Sequence, residues 1–157
     1  MRFFHPNEYQ QKIAGVYEKV AAEVLRLLPC ARVEHIGSSA IPGAISKGDL
    51  DVFVGVDKVE FNRSIQELER NGYRVKSNTL RNESLCMLEI DEYELPVALQ
   101  VVENGSEFEM FLTFRDAVRR SEDLLRAYNQ LKLSCTEASE TCYRERKRAF
   151  IENVLAS

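Results

Sequence analysis

The sequence predicts an α+β fold: a mixed β-sheet with helices packed on one face, followed by a helical C-terminal part. Three observations predict it. Apolar residues recur at helical spacing along the N-terminal stretch. Segments of alternating character fill the middle of the chain, with one amphipathic helix between them. After Asn104-Gly105 the pattern changes to a helical period and keeps it to the end. Helix, strands with one crossover helix, hairpin, then helices is the order of a sheet layered against helices.

The elements follow in order. Asn7 to Leu28 reads as a helix: Pro6 suits its first turn, Ile13, Val16, Tyr17, Val20, Val24 and Leu27 or Leu28 form one stripe, and Pro29 stops it. Arg32 to Ile36 is a short strand. Gly37 to Gly48 is a loop with a Pro42-Gly43 turn. Asp49 to Val54 alternates as a strand does, and Val59 to Arg70 is an amphipathic helix ended by Asn71-Gly72. Tyr73 to Val75, Ser84 to Ile90 and Pro96 to Val102 are strands, the last two joined through Asp91-Glu92-Tyr93-Glu94 as a hairpin. Glu107 to Arg120, Ser121 to Leu133 and Ser139 to Leu155 are helices.

A chain of 157 residues suits one domain with its own core, here a sheet-containing part over 1–104 and a helical part over 105–157. No apolar run is long enough to span a membrane. The N-terminus lacks the apolar stretch and small-residue cleavage site of a signal peptide, so the cytoplasm is the expected location. The formal net charge of −4 argues against a protein that grips nucleic acid by phosphate neutralisation. Cys30, Cys86, Cys135 and Cys142 form no C-x-x-C pair and lack zinc-site spacing to the two histidines, so they read as reduced thiols.

The chemistry concentrates between Val33 and Val54. Side chains alternate along a strand, so Asp49 and Asp51 share one face while Leu50, Val52 and Val54 share the other. Two adjacent carboxylates repel unless a cation lies between them. Magnesium takes hard oxygen ligands and is commonly shared with substrate phosphates. Gly37 and Ser38 follow the preceding strand, where a glycine lets a phosphate approach the backbone and a hydroxyl with exposed N–H groups can hold it. A phosphate there, beside a metal on Asp49 and Asp51, is an arrangement for phosphoryl or nucleotidyl transfer.

The run Val-Glu-His-Ile-Gly-Ser-Ser-Ala-Ile-Pro-Gly at 33–43 closely resembles the signature of the GrpB-like family. That family belongs to the nucleotidyltransferase superfamily, which has the fold of DNA polymerase beta. The resemblance continues through Phe114-Arg115-Asp116 with Arg119, Tyr128 and Leu131-Lys132, then Tyr143, Lys147 and Phe150-Ile151. It implies that Gly37 and Ser38, with Ser39 and Lys47 beside them, contact nucleotide phosphate. It also implies that Asp49 and Asp51 are catalytic and bind a divalent metal, Mg2+ or Mn2+. Two departures stand out. The strand that should carry a third acid reads Val97-Ala98-Leu99-Gln100-Val101-Val102, with Gln100 where relatives commonly have a His-Leu-His run, and Lys47-Gly48 replaces the usual Lys-Pro.

Three cations lie on or beside apolar helix stripes: Arg115, Lys132 and Lys147. Each either snorkels to solvent along its stem or reaches into a cleft against Asp49 and Asp51 to grip a triphosphate. Arg144, Arg146 and Arg148 read as a solvated face. His35 reads as a structural hydrogen-bonder rather than a catalytic acid or base.

The leading expectation is a Mg-dependent transferase that moves a nucleotidyl group from a nucleoside triphosphate to a small molecule or a protein side chain. The alternative, motivated by the absent third acid, is a non-catalytic nucleotide- or anion-binding or interaction domain on the same fold. A P-loop kinase, the third reading, is disfavoured, because Gly43-Ala44-Ile45-Ser46-Lys47-Gly48 has neither the spacing nor the hydroxyl residue after lysine.

Overall fold

A computed structural model describes residues 1–157. Helix α1, Pro6–Leu27, begins with proline in its first turn, and Glu8 reaches back to the His5 backbone N–H at 2.6 Å. Strand β1, Arg32–Ile36, runs antiparallel to β2, Leu50–Val56. Helix α2, Phe61–Arg70, connects to the two-residue strand β3, Arg74–Val75. Strands β4, Leu85–Ile90, and β5, Val97–Glu103, pair antiparallel through the expected hairpin. Strand β5 lies parallel to β2, which gives a five-stranded mixed sheet in the order β1-β2-β5-β4-β3. Helices α3, Met110–Arg119, α4, Glu122–Ser134, and α5, Glu140–Ala156, complete the chain, with Ser121 and Ser139 capping the last two.

The periodicities decide which face each residue occupies. Ile13, Val16, Val20 and Val24 of α1 and Phe61, Ile65 and Leu68 of α2 pack on Leu50, Val52, Val54, Leu88, Leu99 and Val101 in one core of 19 residues. The opposite face of the sheet is covered at one end only. Ile36, Phe53, Leu85 and Val102 meet Phe108, with Met110, Phe111 and Leu112 of α3 around them. A third cluster joins Phe114, Val118, Tyr128 and Val154 to Ile41 and Ala44, so the C-terminal helices pack on the loop after β1. The rest of that face is only partly covered: Asp51, Met87, Glu89 and Ala98 are half-buried there.

Two details differ from the expected elements. Strand β2 begins at Leu50, so Asp49 is the residue before it, and short 3-10 turns precede α2 and α3. All four cysteines are free, with Cys86 and Cys135 buried. No helix is long and apolar enough to cross a membrane.

Candidate functional site

The register places Asp51 in a row across the open face. Ile36, Asp51, Ala98, Glu89 and Arg74 stand side by side on successive strands. The adjacent row runs Glu34, Phe53, Gln100 and Met87. Ala98 thus occupies the place beside Asp51, and Gln100 lies one step along the same face. No group of three or more His, Cys, Asp or Glu side chains converges on a common point. The site has two carboxylates, with an alanine and a glutamine on the strand beside them.

The Gly37 backbone lies directly against Asp51. Its φ is +77°, and a Cβ built there would stand 2.7 Å from Asp51 Oδ2. Glycine is required twice over, by the left-handed backbone and by the close approach of the carboxylate. Ser38 follows at the start of a 3-10 turn, Ser38–Ala40, with its side chain within reach of the Tyr128 hydroxyl.

Burial, and then the charge of Asp49, push the Asp51 carboxyl up to about 7, while Lys147, Lys76 and Lys47 pull it down. Tyr128 first, then Tyr143, Asp51 and Asp49, hold the Lys147 ammonium above the ordinary lysine range against its own desolvation. Lys147 also lies 5.9 Å from the centre of the Tyr143 ring, and Lys47 5.5 Å from the same ring with Glu140 at 3.6 Å. Asp49, Asp51, Lys47 and Lys147 are therefore brought together, with Tyr128 and Tyr143 as their wall. Asp51 accepts no hydrogen bond from the chain.

The other sequence candidates take different positions. Lys132 is buried, and its ammonium donates to the Ile45 carbonyl and sits 3.7 Å from the centre of the Tyr128 ring. Desolvation, and then Lys147, lower its pKa well below the usual lysine range. It props the loop beneath the site. Arg115 does not reach the cleft: its guanidinium donates to the His35 carbonyl and pairs with Glu34 and Asp116, each at 2.9 Å. The stripe position of Arg115 is real, but carboxylates on β1 and its own helix capture it. Ser39 is buried, with its hydroxyl 2.9 Å from His35 Nε2. His35 stacks on Tyr17 and faces α1, away from Asp51, and burial lowers its pKa to about 4.

Sequence reasoning missed how the loop is held. Tyr9 donates to the Ala44 carbonyl, Gln10 to Ile41 and Arg119 to Ala40. Asn129 accepts from Ile45 N–H and donates to Gly43, and Phe4 exchanges two backbone hydrogen bonds with Ser46. Gly48 has φ +85°, a conformation proline cannot take, so this loop differs in backbone from one carrying Lys-Pro.

Comparison with known proteins bears on the family and the fold. Residues 6–157 match the family described as "GrpB protein". The chain belongs to the GrpB family. A relative from Vibrio cholerae, a UPF0157 protein, is 50% identical over 155 residues, covering 99% of this chain and 82% of its own length. A UPF0157 protein of Deinococcus radiodurans is 32% identical over 82% of this chain and 68% of its own. The crystal structure of GrpB from Enterococcus faecalis superposes with a TM-score of 0.80 at 23% identity, covering 98% of this chain and 94% of that one. The Cid1 poly(U) polymerase, solved bound to MgATP, gives a TM-score of 0.52 at 14% identity over 80% of this chain and 41% of Cid1. This GrpB-family chain thus has a fold resembling that of a nucleotidyltransferase, and it spans about two fifths of Cid1's length.

Proposed function

We propose that this protein binds a nucleoside triphosphate with Mg2+ and transfers its nucleotidyl group to a small acceptor. The observation that carries this reading is one juxtaposition. Asp51 accepts no hydrogen bond within the chain, has a like charge beside it, and sits against the Gly37 backbone with Lys147 and Lys47 close by. Two carboxylates of this kind fit a hard divalent cation that takes its other oxygens from phosphate and water. Magnesium held there would neutralise charge on the phosphates and polarise the phosphoryl group. Mn2+ fits the same oxygens.

The chain's own residues supply the remainder. Gly37 keeps the backbone clear of any side chain that would displace Asp51. Lys147 and Lys47 are the cations available to the phosphates, and the Ser38 hydroxyl adds a neutral donor. In the transfer, an acceptor oxygen bonds to the α-phosphorus, the bond to the pyrophosphate oxygen breaks, and the acceptor proton leaves to solvent. Calorimetry of ATP with Mg2+ tests the reading. Wild type should bind, and the Asp49→Ala/Asp51→Ala double variant should not; equal heats from both would sink it.

The alternative, binding without turnover, is favoured by one specific observation. Ala98 stands beside Asp51 where a third carboxylate would complete the metal ligands. Release of pyrophosphate from ATP in the presence of any acceptor would eliminate that alternative.

A further inference from the structure

Gln100 is the anomaly of the open face. It is only 6% exposed, yet its side-chain amide makes no hydrogen bond within the chain and keeps a contact with solvent. The amide's donors and acceptor are therefore unused within the protein and are free for water or a ligand. Strand alternation aims it into the same open end of the sheet as Asp51. Ala98, between Asp51 and Glu89 in the adjoining row, puts only a methyl group next to it.

The charges around this space favour an anion. Lys76 donates its backbone N–H to the Met87 carbonyl, which continues the β3–β4 alignment and puts Lys76 on the Gln100 side of the sheet. It is exposed, and its charge reaches Asp51. Lys76 and Lys147 act on the Asp51 carboxylate together with Lys47, which is also paired with Glu140 at 3.6 Å. The other acids of the face are already paired, Glu89 with Arg74 at 3.5 Å and Glu34 with Arg115 at 2.9 Å. A third acid supplied by the protein is missing, and Lys76 and Lys147 have no ion-pair partner of their own, so a divalent ion on Asp49 and Asp51 would leave this place net positive.

We propose that this open face is an acceptor subsite that takes a small hydroxycarboxylate, whose carboxylate is read by the Gln100 amide and Lys76 in the space beside Ala98. The acceptor itself then brings the carboxylate that the strand lacks. The amide N–H2 donates to that carboxylate, and the amide oxygen can accept from the acceptor hydroxyl. This rests on the nucleotide reading above for what happens to the hydroxyl.

The test uses glycolate, the smallest compound with both groups, and ethylene glycol, which lacks the carboxylate. Each is titrated into 15N-labelled full-length protein with Mg2+ and a non-hydrolysable ATP analogue. The signals followed are the Gln100 side-chain amide and the Ala98 backbone amide. Glycolate should shift both, and ethylene glycol should shift neither. Gln100→Leu should weaken glycolate binding about tenfold at the Ala98 amide and leave the nucleotide affinity unchanged. Lys76→Ala, an exposed change that leaves the fold intact, should weaken it severalfold. Equal responses to both compounds, or an unchanged glycolate affinity in Gln100→Leu, would overturn the subsite. Nucleotide binding without a glycolate response removes the subsite and keeps the nucleotide reading. Gln100-dependent glycolate binding without nucleotide binding does the reverse.

Discussion

The two sides of this molecule are held together by different physics. Between the sheet and helices α1 and α2, 19 buried apolar residues interdigitate, and their periodicity alone determines who meets whom. Around Gly37 to Gly48 the chain has almost no regular structure. Instead, side chains of α1, α3 and α4 hydrogen-bond its backbone, five of these bonds spanning 79 to 87 residues of sequence. The first region is built to be stable whatever it carries. The second exchanges apolar packing for individually aimed polar groups, and it is where the carboxylates and lysines sit. Damage to the first should therefore cost stability with little effect on the site, and damage to the second should cost the site more than the fold.

The largest effect should come from the apolar side. Leu88→Ala removes a fully buried side chain from the centre of that core. It should cost about 2–5 kcal/mol in urea unfolding, with nucleotide affinity per folded molecule unchanged. A loss of affinity larger than the loss of folded protein would show that the two regions are not separable.

Gly37→Ala acts on the other side. The new Cβ would lie 2.7 Å from Asp51 Oδ2 at a φ of +77°, so backbone strain and displacement of the carboxylate come together. The expected cost is about 1–3 kcal/mol of stability, with Mg-nucleotide binding by calorimetry falling at least about tenfold. Normal binding in a well-folded Gly37→Ala protein would mean that Asp51 holds no metal.

Asn129→Ala tests the clasp itself. One side chain satisfies both Ile45 N–H and the Gly43 carbonyl, at 2.8 and 3.0 Å. Its loss should cost about 1–2 kcal/mol. Hydrogen exchange should rise at Ile45 while the amides of β2 and β5 stay protected.

The same contrast explains what the sequence makes legible. Helix α1, β2 and the hairpin follow from period and turn residues, and the family resemblance reaches Phe150-Ile151 of α5. Asp51 is readable because strand alternation isolates it from Leu50 and Val52. The clasp is not readable, because its acceptors are backbone carbonyls in a loop, which carry no side-chain signature. For that reason Arg115 and Lys132 look like phosphate grips in the sequence while the structure spends them on the His35 and Ile45 carbonyls. Lys76 gives no signal at all, since a polar residue after a two-residue strand looks like any surface lysine.

The smallest predicted effect sets the two regions against each other through pH. His35, packed under α1, has its pKa lowered by burial to about 4 from 6.5, so its neutral form favours the folded state. Unfolded protein binds the extra proton, and stability from His35 rises as pH increases from about 4 to 6.5. Asp51 has the opposite sign. Its carboxyl is raised from 3.8 to about 7, the folded state holds the extra proton, and stability is lost as pH rises through that interval. In metal-free wild type the two should largely cancel. Asp51→Asn should remove the falling component and leave a rise of about 1 kcal/mol, less than the bare shift because solvent reaches the site. His35→Gln, which can keep the bond to Ser39, should leave the fall. Mg2+ at pH 8 should stabilise wild type and do nothing for Asp51→Asn, because only the ionised pair attracts the ion. Parallel pH profiles for all three proteins would mean that neither group senses the burial that distinguishes the two faces of the sheet.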